Sequence, residues 1–96
     1  MSRQKEFLDI IYLCAQELNK QLPTDTQLEL SEYTPIIGKN SSLDSLGIVT
    51  LIVAIEEKIR LLGIDFDLID NLVYPSHETR SNLTMLDIAR FIDENS

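Results

Sequence analysis

The sequence predicts an all-α fold, in which three long helices and one short helix form a single-domain bundle. Apolar residues recur every three or four positions in three stretches of the chain, which is the spacing of one helix face. The chain has 96 residues, of which 44% are hydrophobic and 25% charged. This length predicts one domain, residues 1–96, with one hydrophobic core, and the composition is typical of a folded protein.

The first helix is predicted from about Arg3 to Leu22. Its apolar stripe consists of Phe7, Ile11, Cys14, Leu18 and Leu22. Ser2 is expected to cap its start, and Pro23 disfavours helix at the residue before it. Because Cys14 belongs to the stripe, we interpret it as a small core residue in preference to a reactive thiol.

The segment 23–44 is predicted to be a long loop with a short helical turn near Gln27–Glu32. It contains two prolines, a glycine and the sequence Asn40-Ser41-Ser42, all of which favour turns. Long loops in small domains are commonly functional or pack as compact lids.

The second helix is predicted from Ser45 to Leu62, with Gly63 as its stop signal. Its core stripe consists of Ile48, Ile52, Ile55, Ile59 and Leu62. The β-branched residues between Ile48 and Val53 also fit a buried strand. The length of the apolar pattern and the polar stretch that follows favour a helix.

A short helix is predicted near Asp67–Leu72, followed by a loop over residues 74–82 around Pro75. The sequence from Thr84 to Asp87 resembles a capping box, with Asp in the place where Glu is commoner. The closing helix has its apolar residues at helical spacing: Met85, Ile88, Ala89 and Ile92.

The chain is strongly acidic, with 16 Asp and Glu against 8 Lys and Arg and a formal net charge of −8. The charges of residues 1–20 balance, so the whole excess lies on residues 21–96. This balance argues against nucleic-acid binding, which requires clustered Lys and Arg. The expected macromolecular partners present basic surfaces.

The cysteine and histidine content restricts both the compartment and the chemistry. Cys14 is the only cysteine, which excludes an internal disulfide and suggests a reducing compartment. His77 is the only histidine, so no His/Cys cluster is available for zinc. No signal peptide is recognised, and the longest apolar run, Ile48 to Ile55, is far shorter than the roughly 20 residues of a membrane span. We expect a cytoplasmic monomer without a metal or a membrane span.

None of the common catalytic patterns is complete in this sequence. An EF-hand loop beginning at Asp65 would need Gly and Glu where Asp70 and Ser76 stand. No G-x-S-x-G elbow accompanies His77, and no glycine-rich phosphate loop is present. The adjacent carboxylates of Glu56-Glu57 point in different directions on a helix. The sequence therefore predicts a protein that is not an enzyme.

The second helix carries another apolar stripe, formed by Leu46, Val49 and Val53, about 100° around the helix from the core stripe. Two explanations remain open. The helix is either central and contacted on several sides, or it exposes a strip that docks partners.

Asp44-Ser45-Leu46 stands at the start of this helix, where either Asp44 or Ser45 could be the cap. Unpaired N–H groups and the positive end of the helix dipole favour an anion at such a position. A hydroxyl there is well placed to carry a phosphodiester. Because the chain offers no base for it, Ser45 would be modified by another enzyme.

The stretch from Leu43 to Ile59 resembles the acyl carrier protein family, which includes related peptidyl and D-alanyl carriers. The similarity comprises the Asp-Ser-Leu site at the start of helix two, the apolar pattern and the paired glutamates, and the order of elements extends it over nearly the whole chain. It implies a four-helix acyl-carrier-like bundle. It also implies that Ser45, flanked by Asp44, carries 4′-phosphopantetheine installed from coenzyme A by a phosphopantetheinyl transferase. Acyl intermediates would be held on that group as thioesters and passed to acyl-transferring or synthase enzymes with basic surfaces.

The resemblance implies a partner-binding face on helix two. Its residues are Leu46, Val49, Thr50, Val53, Glu56 and Glu57. Some positions depart from the family pattern: Leu43 replaces a frequent glycine, Gly47 and Thr50 replace acidic residues, and Val53 replaces a frequent methionine. These departures favour a specialised stand-alone carrier for a dedicated lipid, polyketide or saccharide-modifying pathway. The alternatives are a domain of a larger synthase and a helical adaptor that binds partners through the apolar strip, with Ser45 only as a cap.

Overall fold

The computed structural model describes residues 3–38, 40–65, 68 and 82–95, which are mostly helical. In chain order the elements are helix α1 (Gln4–Asn19), a 3₁₀ turn (Thr24–Thr26), strand β1 (Pro35–Gly38), helix α2 (Ser45–Arg60), strand β2 (Asn82–Thr84) and helix α3 (Met85–Asn95). Helix α1 packs against both α2 and α3, and the buried side chains of all three helices form one core.

The predicted stripe of α1 is largely confirmed. Phe7, Ile11, Cys14 and Leu18 are buried. Leu8 and Ala15 are buried as well, because α1 contacts two other helices and therefore buries a wider face than one stripe. The helix ends at Asn19 and not at Leu22, which lies half-buried beyond it. Arg3 occupies the N-cap position, and the predicted cap Ser2 lies outside the described residues.

The end of α1 is tied to the following loop by the Asn19 side chain. Asn19 accepts a hydrogen bond from the backbone N–H of Leu28 (2.7 Å) and donates one to the Leu28 carbonyl (2.9 Å). The helical turn predicted near Gln27–Glu32 is wrong in position, since the 3₁₀ turn lies at Thr24–Thr26. It is closed there by the Thr26 N–H, which donates to the carbonyl of Pro23 (2.9 Å).

The fold is not purely helical, because β1 and β2 pair as a two-stranded antiparallel sheet. Residues 35–38 and residue 82 were expected in loops, so the all-α prediction is corrected here. Strand β1 has only four residues, too few for a recognisable alternation of polar and apolar residues. Ile36 in this strand is fully buried, so the sheet closes one side of the core.

Helix α2 ends as the glycine signal predicts. Gly63 has φ of 87° and donates to the Arg60 carbonyl (3.0 Å), and the Ile64 N–H donates to the Ile59 carbonyl (3.1 Å). This is the Schellman arrangement of a helix end. The helix itself stops at Arg60, and Leu62 is 45% exposed, so its assignment to the core stripe is wrong.

The remaining stripe of α2 is confirmed in its C-terminal part. Ile52, Ile55 and Ile59 are buried, whereas Ile48 is only half-buried against the core. Leu51, which the predicted stripe omitted, is fully buried. The buried face of α2 is therefore wider than one stripe and is rotated slightly from the predicted line.

The capping box of α3 is confirmed. The Thr84 N–H donates to Asp87 Oδ2 (3.0 Å), and the Asp87 N–H donates to Thr84 Oγ1 (3.2 Å). The apolar residues predicted for this helix are all buried: Met85, Ile88, Ala89 and Ile92. Arg3 at the start of α1 donates its backbone N–H to Asp93 Oδ1 (3.1 Å) and so joins the two helix ends.

The predicted short helix near Asp67–Leu72 lies outside the described residues except for Leu68, which is helical and fully buried. Of the predicted loop over residues 74–82, all but Asn82 also lie outside them, including His77. None of the helices in the described parts of the chain combines the length and the apolar character that a membrane span requires.

Candidate functional site

Ser45 is the first residue of α2, and Asp44 is its cap. Asp44 Oδ1 accepts a hydrogen bond from the Gly47 N–H (2.8 Å), and the Asp44 carbonyl accepts the N–H of Ile48 (2.9 Å). Of the two capping alternatives that the sequence left open, the structure selects Asp44. The Ser45 side chain is exposed, and among the described residues none hydrogen-bonds to its hydroxyl.

The N-terminus of α2 offers free hydrogen-bond donors beside this hydroxyl. The first N–H groups of a helix have no acceptor within it, and no described group outside the helix accepts those of Ser45 and Leu46. The N-terminus of α3 differs, because Met85 and Leu86 donate to the carbonyls of Thr34 (3.0 Å) and Glu32 (3.1 Å). An anion on Ser45 would therefore meet unpaired N–H groups and the positive end of the α2 dipole.

Gly47 leaves little room for a side chain close to the cap. A Cβ atom added there would lie 3.2 Å from Leu43 Cδ2 and 3.3 Å from Asp44 Oδ1. Asp44 Oδ1 is the oxygen that caps the helix. Leu43 is itself buried. Any larger residue requires Leu43 or Asp44 to move by a few tenths of an ångström, which gives a packing reason for glycine at this position.

Most of the residues expected to contact partners lie on the exposed side of α2. Leu46 is 75% exposed and Val53 37% exposed, and Thr50 between them is also exposed. Thr50 Oγ1 donates to the Leu46 carbonyl (2.7 Å), so its hydroxyl is satisfied within the helix. Glu57 is exposed on the same side, one turn further along the helix. Val49 is the exception among the apolar residues of this set, since it is half-buried. The sequence left open whether the second apolar stripe of α2 is buried by neighbouring elements or exposed. The structure shows that Leu46 and Val53 are exposed.

Glu56 is placed differently from Glu57. Its carboxylate Oε2 accepts a hydrogen bond from the backbone N–H of Leu68 (2.7 Å), and its side chain is half-buried. Glu56 thus links α2 to the chain that follows it. Sequence reasoning missed this contact, because no local pattern joins two residues twelve positions apart.

The other reactive side chain of the described residues, Cys14, has no contact with this site. It is buried in the α1 stripe, and this burial raises the pKa of its thiol to about 11. The thiol is therefore neutral near pH 7 and a poor nucleophile. Within the described ranges, no group of three or more His, Cys, Asp and Glu side chains comes together as a metal site.

A polar cavity of about 260 Å³ lies in the loop that leads to α2; we call it the loop cavity. The residues that line it are Gln27, Leu28, Glu29, Ser31, Tyr33, Thr34, Pro35 and Ser42. A larger apolar groove lies between Ile10 and Leu13 of α1 and Leu62 beyond the end of α2.

No protein-family model, curated protein or solved structure matches this chain. The chemistry of the site is therefore argued from its own residues.

Proposed function

We propose that this protein is a carrier protein whose Ser45 bears 4′-phosphopantetheine and which transports acyl intermediates as thioesters. The observation that carries the proposal is an exposed serine hydroxyl without a hydrogen-bond partner among the described residues. It stands at a helix N-terminus where the N–H groups of Ser45 and Leu46 lack described acceptors, in contrast to the N-terminus of α3. The resemblance of residues 43–59 to the acyl carrier protein family supports it. The proposed fold is the four-helix acyl-carrier-like bundle, with α1, α2 and α3 as its long helices.

The residues around Ser45 fit the proposed group. Ser45 Oγ would form the phosphodiester bond, losing its proton and displacing the nucleotide half of coenzyme A. The N–H groups of Ser45 and Leu46 and the dipole of α2 would stabilise the phosphodiester anion. Asp44 keeps its own carboxylate engaged with Gly47, so it fixes the first turn of the helix. When bound, the group supplies a flexible arm whose thiol holds the cargo.

The chain would depend on a phosphopantetheinyl transferase for this modification. A serine hydroxyl reacts as a nucleophile only when a base lies within hydrogen-bond reach. No described side chain hydrogen-bonds to Ser45 Oγ. We therefore propose that the protein is not an enzyme but the substrate of one.

The exposed strip of Leu46, Thr50 and Val53 would be the surface that partner enzymes recognise. The chain carries a net charge of −8, which favours partners with basic surfaces. Gly47 and Thr50 leave the middle of this surface uncharged. This pattern favours a specialised carrier for a dedicated lipid, polyketide or saccharide-modifying pathway.

The direct test is the intact mass of the protein after incubation with coenzyme A and a broad-specificity phosphopantetheinyl transferase. We expect the wild type to gain the mass of one phosphopantetheine group and Ser45→Ala to gain none. Ser42→Ala is the matched control, since Ser42 is also exposed and stands three residues earlier. Circular dichroism should show the same helix content in all three proteins. Modification that persists in Ser45→Ala would refute the assignment.

The second candidate function is a helical adaptor without a prosthetic group. The exposure of Leu46 and Val53 on one side of α2 favours it, because exposed apolar surface can mark a contact site. The same mass measurement separates the two functions. An adaptor would leave the transferase assay with its mass unchanged.

A further inference from the structure

The loop cavity lies closer to Ser45 than the apolar groove does. Ser42 lines the loop cavity and precedes Ser45 by three residues, which limits the distance between their Cα atoms to about 11 Å. The Ser42 hydroxyl donates to the Thr26 carbonyl (3.3 Å) and so joins the segment before α2 to the 3₁₀ turn. Leu62 of the apolar groove follows Ser45 by seventeen residues, about 25 Å along a helix. Of these two cavities, the loop cavity is therefore nearer to the attachment point of an arm on Ser45.

The free polar groups that line the loop cavity are mostly acceptors. Thr34 Oγ1 donates to the Glu29 carbonyl (2.6 Å), and Gln27 Nε2 donates to the Asn19 carbonyl (3.0 Å), so both donors are already used. The remaining side-chain groups are the Glu29 carboxylate, the Gln27 side-chain oxygen and the hydroxyls of Tyr33 and Ser31, of which Ser31 Oγ already accepts the Tyr33 N–H (3.2 Å). Among the residues that the structure describes, the cavity is lined by neither Lys nor Arg. Its lining is therefore suited to a ligand that donates hydrogen bonds and carries positive charge.

The size and the apolar part of the loop cavity restrict the ligand further. Its volume of about 260 Å³ is below the range of roughly 300–1,000 Å³ that drug-sized ligands occupy. Leu28 is buried within the lining and Pro35 is half-buried, so both can contact carbon atoms. Tyr33 also lines the cavity and is 77% exposed, and aromatic rings attract cations. A short group with an ammonium next to a few carbon atoms satisfies all three features.

We propose that the loop cavity holds the end of the Ser45 arm when the cargo is a small aminoacyl group, with the cargo ammonium against the Glu29 carboxylate. This inference rests on the proposed function and adds a substrate class to it. An acyl group without an ammonium has no charged partner in the cavity and stays outside it.

The test compares two forms of the full-length protein, loaded at Ser45 from coenzyme A analogues that carry a stable glycyl or propionyl amide. The two groups have the same number of non-hydrogen atoms and differ in the ammonium. In ¹H–¹⁵N NMR spectra, we expect the glycyl form to shift the amide signals of residues 27–34 and Ser42 relative to the propionyl form. The signals of Leu13 and Leu62 should be the same in both.

A pair of variants assigns the effect to Glu29. Exposed ion pairs of this kind change an equilibrium by roughly 1.4- to fivefold, so Glu29→Gln should reduce the glycyl-specific shift by such a factor. Asp25→Asn is the matched control, because Asp25 is an exposed acid on the same loop that does not line the cavity. It should leave the shift unchanged.

The outcomes separate the two proposals. Absence of a mass gain at Ser45 overturns both the carrier function and the cavity inference. A mass gain with identical spectra for the glycyl and propionyl forms overturns the cavity inference alone. An equal loss of shift in Glu29→Gln and Asp25→Asn also overturns it, since general acidity and not Glu29 would then attract the cargo.

Discussion

Asp44 holds the end of α2 that carries Ser45, through its hydrogen bond to the Gly47 N–H. Replacing a capping Asp with Ala costs about 0.5–2 kcal/mol, because an N–H group loses its acceptor. We expect Asp44→Ala to lower the free energy of unfolding by about 1 kcal/mol in urea titrations, within that range. Asp44→Asn keeps an acceptor oxygen and is the matched control. Equal stability of Asp44→Ala and the wild type would show that the cap contributes nothing.

The Cys14 thiol makes the free energy of unfolding depend on pH in the alkaline range. Its burial raises the pKa to about 11 in the folded protein, from an ordinary value of 9.0. Between these pH values the unfolded chain loses the thiol proton while the folded chain keeps it, so the free energy of unfolding falls as pH rises. We expect urea titrations from pH 8 to pH 11 to show this decline and to find it weaker in Cys14→Ala.

The comparison with Cys14→Ala is needed because Tyr12 also titrates at alkaline pH. Burial, Glu32 and Asp9 raise the pKa of its hydroxyl, so it contributes a slope of the same sign. The difference between wild type and Cys14→Ala isolates the thiol. Identical slopes in the two proteins would mean that Cys14 is more accessible than its position in the core indicates.

Helix α2 has two apolar surfaces with opposite roles. Ile52 is fully buried and Leu46 is 75% exposed. Ile52→Ala should lower the free energy of unfolding by about 2–5 kcal/mol, because it removes buried methyl groups and leaves a cavity. Leu46→Ala should change it by no more than about 0.5 kcal/mol, as exposed substitutions do. Urea titrations of both variants give the comparison, and an equal loss in the two would contradict the assignment of Leu46 to the solvent side.

The helices could be predicted from the sequence because each has a local pattern. The Thr84–Asp87 capping box predicts the start of α3, and Gly63 predicts the end of α2. Both signals are local, because the hydrogen bonds that they form join residues only a few positions apart. The strand pairing could not be predicted, since Ile37 pairs with Leu83 across nearly half of the chain. For the same reason, the burial of Leu51 became visible only with the neighbouring helices in place.

The candidate site was predicted to the extent that it is local. Asp44, Ser45 and Leu46 are adjacent, and their place at the start of α2 follows from the apolar pattern behind them. The choice of cap was open, because both Asp and Ser are good capping residues. The contact from Glu56 to Leu68 depends on how the chain returns after α2, and no spacing rule predicts it.

At the scale of the whole molecule, a net charge of −8 would attract the proposed basic partners over long distances. The local charge on α2 then decides how well a given partner fits, because charges at the rim of an interface change the association rate and its salt dependence. Thr50 is exposed at the centre of the proposed partner surface and carries no charge. An acyl-transfer enzyme of general fatty-acid synthesis, with a basic group facing this position, would find no counter-charge there.

We therefore expect Thr50→Glu to be a better substrate than the wild type for such an enzyme. An exposed ion pair contributes roughly 0.2–1 kcal/mol, equivalent to about a 1.4- to fivefold higher transfer rate. The measurement is the rate of acyl transfer to the phosphopantetheine-loaded protein at low and at moderate salt, where the gain should shrink because salt screens exposed charges. Gln16→Glu is the matched control, since Gln16 is exposed on α1 and the substitution adds the same charge away from the partner surface. If Gln16→Glu raised the rate as much as Thr50→Glu, net charge alone would govern partner choice and the neutral centre of α2 would not mark a specialised carrier.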